Sequence, residues 1–348
     1  MHDFKDRFDY NSIKGLIIKF LKLFIFLLVF QFGRVEAATK VDINGGVYPQ
    51  LRFDNLGSSL NLMGAEADIT ARITGKTRDI ATGMIQLWAP ISMEDWTMGF
   101  HFGQAYVLLP LGLRLPIIRI GQAVIPFGLL ADYDTHTQVV QTTYSRTLGL
   151  RIDPGIGLQG QFEKTNYALW MSNGNGPYVM DNNKNKVVTA RVAPKFLLGD
   201  AELTLGLSGF AGALPYWQLD SMAQMMSGPH FYRMKYRAAL DNTTDWGPAT
   251  IRIEGVLGKD SVLSVPLVYG YYVEGRYGFM SWFEALAEYD GYHVSDQGSI
   301  HSVNAGFIFY PPSLTSIDLQ VIFQQDWMKT ENMKERFWNV TTQLTFRF

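Results

Sequence analysis

From Met63 to Lys76, in MGAEADITARITGK, apolar and polar side chains alternate almost without a break. Ala65, Ala67, Ile69, Ala71 and Ile73 stand against Glu66, Asp68, Thr70, Arg72, Thr74 and Lys76. Successive side chains of a strand point to opposite faces, so this element carries one apolar and one charged face. The same period of two returns in VTARVAPKF, where Val188, Ala190 and Val192 oppose Thr189, Arg191 and Lys195. It continues at Tyr232–Leu240, Ile317–Phe323 and Trp338–Phe348. About sixteen such segments follow one another, the first near 41–54 and the last near 337–348.

A two-sheet sandwich also alternates, so segment length and the links between segments must decide. Many segments reach about 10 residues, the length a tilted membrane-crossing strand needs. The links also sort by parity. Those after even-numbered segments are terse: TRD, EKTN, LLGD, NTTDWGP, GFM and PPSLT. Those after odd-numbered segments are mostly long, such as GNGPYVMDNNKNK and DWMKTENMKE. Short turns at one rim and long loops at the other predict an all-β, antiparallel transmembrane barrel of about sixteen strands, with periplasmic turns and extracellular loops. Trp246, Trp282 and Tyr310 fall beside the short turns, where an aromatic girdle sits.

Composition agrees. The chain has 348 residues, 14% aromatic, with a mean hydropathy near zero, unlike a helical membrane bundle. Its net charge of −2 argues against nucleic acid as a partner. Without cysteine there is no disulfide framework, thiolate metal site or catalytic thiol. Near the N-terminus, Lys14, Lys19 and Lys22 precede the apolar LFIFLLVFQF, and V-E-A ends at Ala37. This pattern predicts an export signal over residues 1–37, cleaved after Ala37, and a barrel domain over 38–348. An uncleaved anchor is the other reading, but the apolar core is shorter than the roughly 20 residues a helical span needs.

If the apolar faces meet lipid, the polar faces line an interior. A lipid-facing Lys or Arg costs roughly 2–4 kcal/mol near the midplane. Parity therefore turns Arg191, Lys195, Arg233, Lys235, Arg237, Arg252 and Arg276 inward, with Glu202, Glu254, Glu274, Glu284 and Glu288. Sixteen strands bearing such side chains enclose water, which predicts a channel for passive diffusion of small polar or charged solutes. The long link Phe127–Leu150 follows the fifth segment and carries Asp132, Asp134, His136 and Arg146. A link of that length is usually functional or disordered. One reading folds it into the barrel as a constriction, where Asp132 and Asp134 face the basic wall and set a transverse field. The other leaves it a solvated surface loop.

The stretch RIDPGIGLQGQF contains G-x-G-x-x-G, a dinucleotide-binding string. A turn signal, Glu163 to Asn166, and another strand follow it in place of the helix such a site requires. Parity instead turns Gly155 and Gly157 inward, where small residues would leave room for the Phe127–Leu150 link. No cofactor or metal is expected. In the last strand, Trp338, Val340, Leu344, Phe346 and Phe348 share one face and end on an aromatic. This resembles the C-terminal strand by which bacterial outer-membrane barrels are recognised by the barrel-assembly machinery.

RIGQAVIPFGLL followed by LGLRIDPGIGLQGQFEKTNYALWMSNGNG resembles the phosphate-selective porin family of Gram-negative outer membranes. The matching positions are Gly121 and Gln122, Pro126 to Gly128, and Asn173 to Gly176. The resemblance implies a sixteen-stranded, trimeric channel in outer-membrane lipid, admitting anions such as phosphate. That family's anion-selective members carry a ladder of basic residues, whereas here glutamates interrupt the ladder. Three rivals remain. An enzymatic barrel finds little support, since the six histidines are scattered and GLSGF at Ser208 lacks the G-x-S-x-G spacing. A non-conducting binding or structural barrel could present the link Ala211–Phe231, with Trp217, Met222, Met225 and Met226. A plugged transporter would need about 22 strands and a globular plug.

Overall fold

The computed structural model describes residues 38–348 except 56, 77, 93–96, 99–100, 113–114, 132–137, 178–183, 216–231, 261–266, 296–297, 313–315 and 331–333. The expected signal (1–37), Asp132, Asp134, His136 and most of the link 211–231 therefore lie outside the described residues. Among the described residues, no helix is long and apolar enough to cross a membrane.

Seventeen strand segments form one antiparallel sheet and follow one another round it in sequence order. They are β1 (Ala38–Asp54), β2 (Gly57–Thr74), β3 (Asp79–Ser92), β4 (Thr97–Met98), β5 (His101–Pro110) and β6 (Ile117–Val124). Then come β7 (Ile152–Phe162), β8 (Thr165–Ser172), β9 (Val187–Leu198), β10 (Ala201–Pro215), β11 (Tyr232–Trp246) and β12 (Ala249–Asp260). The last are β13 (Leu267–Met280), β14 (Phe283–Val294), β15 (Gly298–Phe309), β16 (Ile317–Lys329) and β17 (Lys334–Arg347). Both β4 and β5 pair with β3, so they are two pieces of one strand. Sixteen strands thus go round, and β17 pairs with β1 to close the sheet. All sixteen expected segments are present.

The short-rim links tighten further than the sequence indicates. Gly199–Asp200, Gly247–Pro248, Ser281–Trp282 and Glu163–Lys164 are two-residue turns. Such turns favour a left-handed residue, which suits the twist of the flanking strands. Gly199 and Gly247 have φ of 62° and 55°, and Glu163 takes φ 51° in the same role. NTTDWGP is mostly strand, because β11 runs on to Trp246 and pairs it with Ala201 and Ala249.

Exposure separates the two faces. On β12, Ile251, Ile253 and Leu257 are exposed, while Glu254 and Val256 between them are buried. On β10 and β11, Leu207 and Leu240 are at least 60% exposed, while Ser208, Phe210, Arg237 and Asp241 are buried. Exposed aliphatic and aromatic side chains recur on most strands, giving an apolar outer surface far beyond the isolated patches of a soluble monomer. Around the short-turn rim, Tyr277, Phe279, Trp282, Phe283, Phe307 and Phe309 form a connected series of ring contacts, with Trp246 exposed at the neighbouring turn. Such a belt suits the level where hydrocarbon gives way to headgroups.

Closure depends on the chain's last residues. Gly45 and Phe348 exchange both backbone bonds at 3.0 Å, beyond the ladder from Gly46–Arg347 to Asp54–Asn339. The Phe348 ring lies over Gly45, where a Cβ would fall 2.5 Å from its Cζ. Phe346 and Phe348 both lie on the outer face, 38% and 70% exposed. Gly45→Leu should therefore strain this seam and lower stability by about 1–3 kcal/mol. Urea unfolding of the refolded barrel, followed by tryptophan fluorescence, would measure the loss.

Candidate functional site

Val124 ends β6, and the chain does not return to the sheet until Ile152. The described parts of the intervening segment bond to inward-facing side chains, so this segment lies within the barrel. A 3-10 turn at Gly128–Ala131 starts it. Gly128 N–H donates to Ser208 Oγ at 3.0 Å, and Leu129 N–H donates to Glu254 Oε2 at 2.7 Å. Gly128 has φ +53°, and a Cβ there would sit 2.4 Å from Glu254 Oε2. The glycine of the P-F-G string thus permits both the backbone conformation and the close approach. Further on, Val139 N–H donates to Gln320 Oε1 at 3.3 Å, and Arg276 Nη2 donates to Gln138 Oε1 at 2.8 Å.

An α-helical turn at Tyr144–Thr147 is held from both sides. Arg146 reaches Asp290 Oδ1 at 2.6 Å and the Ser302 hydroxyl, which donates onward to Asp326. Carbonyls at a helix end lack internal donors. Here Arg237 Nε supplies Thr147 O at 2.8 Å, and Lys235 Nζ supplies Leu148 O at 3.0 Å. Apolar packing completes the attachment: Ile125, Phe127, Leu148 and Leu150 share one buried cluster with Trp170, Phe210 and Val256 of the wall.

The inward cations expected from parity are largely paired. Arg191 lies 2.6 Å from Asp241, both side chains being nearly inaccessible. Gly206 lies beneath this bridge, and a Cβ there would fall 2.2 Å from Asp241 Oδ2. Arg237 meets Asp260 at 2.5 Å, and Lys195 meets Glu202 at 2.8 Å. Arg252 and Arg276 both hold Glu274, which also accepts from the Tyr272 hydroxyl, and Arg276 extends to Glu284. Asn304 donates to Glu288. The Arg233 backbone pairs with Leu214, while its side chain lies outside the described residues. At the short-turn rim, burial pushes the Tyr310 phenol up to about 12, with Glu284 and Asp318 reinforcing the shift.

Gly155 and Gly157 face inward, and the space above them is taken by the neighbouring strand. A Cβ on Gly155 would lie 2.9 Å from Ser172 Cβ, and one on Gly157 would lie 2.5 Å from the Trp170 ring. Trp170, which belongs to the inner segment's apolar cluster, carries the Arg119 guanidinium 4.7 Å from its ring centre. Tyr106 flanks the same guanidinium at 5.6 Å. The sequence reading missed Arg119, although its parity with Gly121 and Ala123 already points it inward. Beside it a cavity of about 430 Å³ opens between the inner segment and the wall. Among the described residues, no three His, Asp or Glu side chains converge on a metal site.

This closed barrel, apolar outside and charged inside, has the architecture of outer-membrane porins. No protein-family model matches the sequence, and no curated protein matches it. Solved structures do match in fold. The anion-selective porin from Comamonas acidovorans aligns with a TM-score of 0.67 at 14% identity, over 89% of this chain and 100% of that one. OmpT, an outer membrane protein of Vibrio cholerae, in its trimer form, gives 0.67 at 12% identity over the same shares. The outer membrane channel DcaP of Acinetobacter baumannii gives 0.64 at 10% identity, over 89% of this chain and 98% of that one.

Arg146→Met should leave Asp290 without its cation and loosen the inner segment, at a cost of roughly 1–3 kcal/mol. Faster chymotrypsin cleavage near Tyr144 in the folded barrel would report it.

Proposed function

We propose that the protein is a Gram-negative outer-membrane porin, a water-filled channel for passive diffusion of small polar or charged solutes. The observation that carries this reading is the interior: sixteen strands surround charged and amide side chains and one inward-folded segment. A barrel of this size encloses more space than its own side chains fill. The polar anchors of the segment fall on β10–β16, from Ser208 to Gln320. Opposite, β1 and β2 present Arg52, Glu66, Asp68 and Arg72 by parity, so the solute path runs between that wall and the segment.

The segment's place inside the wall supports a constriction, and Asp132 and Asp134 follow directly after its first turn. With most inward cations neutralised by partners, these two carboxylates and the remaining cations set the selectivity. The likeness to phosphate-selective porins rests on the G-Q, P-F-G and N-G-N-G strings, and phosphate is one candidate anion. By analogy with the trimeric form of the Vibrio protein, three copies assemble in outer-membrane lipid after export and delivery to the barrel-assembly machinery. No enzymatic activity is proposed.

Reconstituted in a planar bilayer, the protein should give steady conductance steps, and a salt gradient should show a modest anion preference. Asp132→Asn with Asp134→Asn should move the reversal potential further toward anions. A barrel that inserts but passes no current would overturn the channel in favour of a binding or structural role. An unchanged reversal potential in the double variant would remove the two aspartates from the constriction.

A further inference from the structure

The cavity beside Arg119 has an unusual balance of groups. Arg119 and Arg191 line it, with the carboxamides of Gln159, Gln161 and Asn166, and among the described residues no carboxylate lines it. Pro126 and Ala131 of the inner segment roof it. Arg191 is already matched by Asp241. Arg119 donates from Nη2 to the Val124 carbonyl at 2.8 Å, and among the described residues it forms no ion pair. Its Nε is buried without a hydrogen-bond partner. The Trp170 and Tyr106 rings lie beside the guanidinium, which places it without neutralising its charge. The three carboxamides make no side-chain hydrogen bond to another described residue, so their donors and acceptors are open to a solute.

We propose that this cavity is a solute-recognition subsite for small hydroxylated organic acids, the inference resting on the channel reading above. The carboxylate of the solute pairs with Arg119, whose planar fork suits a carboxylate. Its hydroxyl groups exchange hydrogen bonds with Gln159, Gln161 and Asn166, which donate and accept equally well. A volume of about 430 Å³ falls within the range of small-molecule sites. A small inorganic anion held at the cation spans little of the cavity and reaches fewer of the amides than a polyhydroxylated acid does. A neutral polyol would use the amides and leave the cation unmatched. The site therefore selects for both groups in one molecule.

Gluconate, sorbitol and inorganic phosphate separate these cases. Calorimetric titration of the detergent-solubilised full chain should show gluconate binding at least about tenfold more tightly than either of the others, the worth of one charge-assisted hydrogen bond. Arg119→Gln should weaken gluconate about tenfold, and the pair Gln159→Ala with Asn166→Ala should weaken it by a similar factor while leaving phosphate unaffected. The amide pair keeps the test decisive if Arg119→Gln does not fold. Equal binding of gluconate and sorbitol, phosphate binding as tight as gluconate, or unchanged gluconate affinity in the amide pair would each overturn the subsite. Titration in detergent does not depend on conduction. Gluconate binding by a barrel that passes no current would therefore uphold the subsite and sink the channel, and the reverse result would do the opposite.

Discussion

Every backbone donor and acceptor in hydrocarbon must find a partner within the protein, and a sheet achieves this only by closing. The pairing of β17 with β1 is therefore the contact on which the other fifteen seams depend. Left open, both strands would present unpaired edges to lipid along their whole length. The register at that seam runs to the last residue, where Phe348 and Gly45 exchange backbone bonds. Gly45 has no side chain because the Phe348 ring occupies the place it would fill.

Closure then creates the second problem, which is what to do with the interior. A barrel this wide cannot pack its own inward side chains against one another. The chain fills part of the space with the segment between β6 and β7, and it matches inward charges in bridges along the wall. These bridges are not a large source of stability, because desolvation offsets much of the attraction between buried ions. Their effect is positional. Arg191 and Asp241, Arg252 with Arg276 and Glu274, and Arg146 with Asp290 each fix a direction for side chains that would otherwise sweep the lumen.

Much of this was legible in the sequence. The period of two, the parity of the links and the inward turn of Arg191, Arg237, Glu254 and Glu274 all follow from local alternation, which a strand cannot evade. Pairing was not legible. Asp241 stands 50 residues from Arg191, and only the ladder through β10 brings them together, over a glycine whose role is likewise invisible in one dimension. Gly157 shows the same limit: parity turns it inward, but only the neighbouring strand reveals that Trp170 lies over it. Turn lengths were overestimated because polar residues such as Asn242 to Asp245 look like loop; Thr243 and Asp245 share the inward parity of Asp241, while Asn242 and Thr244 lie at the rim end of the strand, past its apolar stretch. Arg119 escaped notice because it is a single basic residue among isoleucines, and its stacking partners come from β5 and β8.

The anchoring of the inner segment has a consequence for how the molecule is made. The described wall partners of its polar groups named above, from Ser208 through Gln320, lie later in the chain than the segment itself. When the strands up to β9 have formed, the helical turn at Tyr144–Thr147 has no arginine or lysine at its end, and Arg146 has no aspartate to meet. Each strand from β10 to β16 supplies at least one attachment, so the segment is fully held only once that whole arc of the wall is in place.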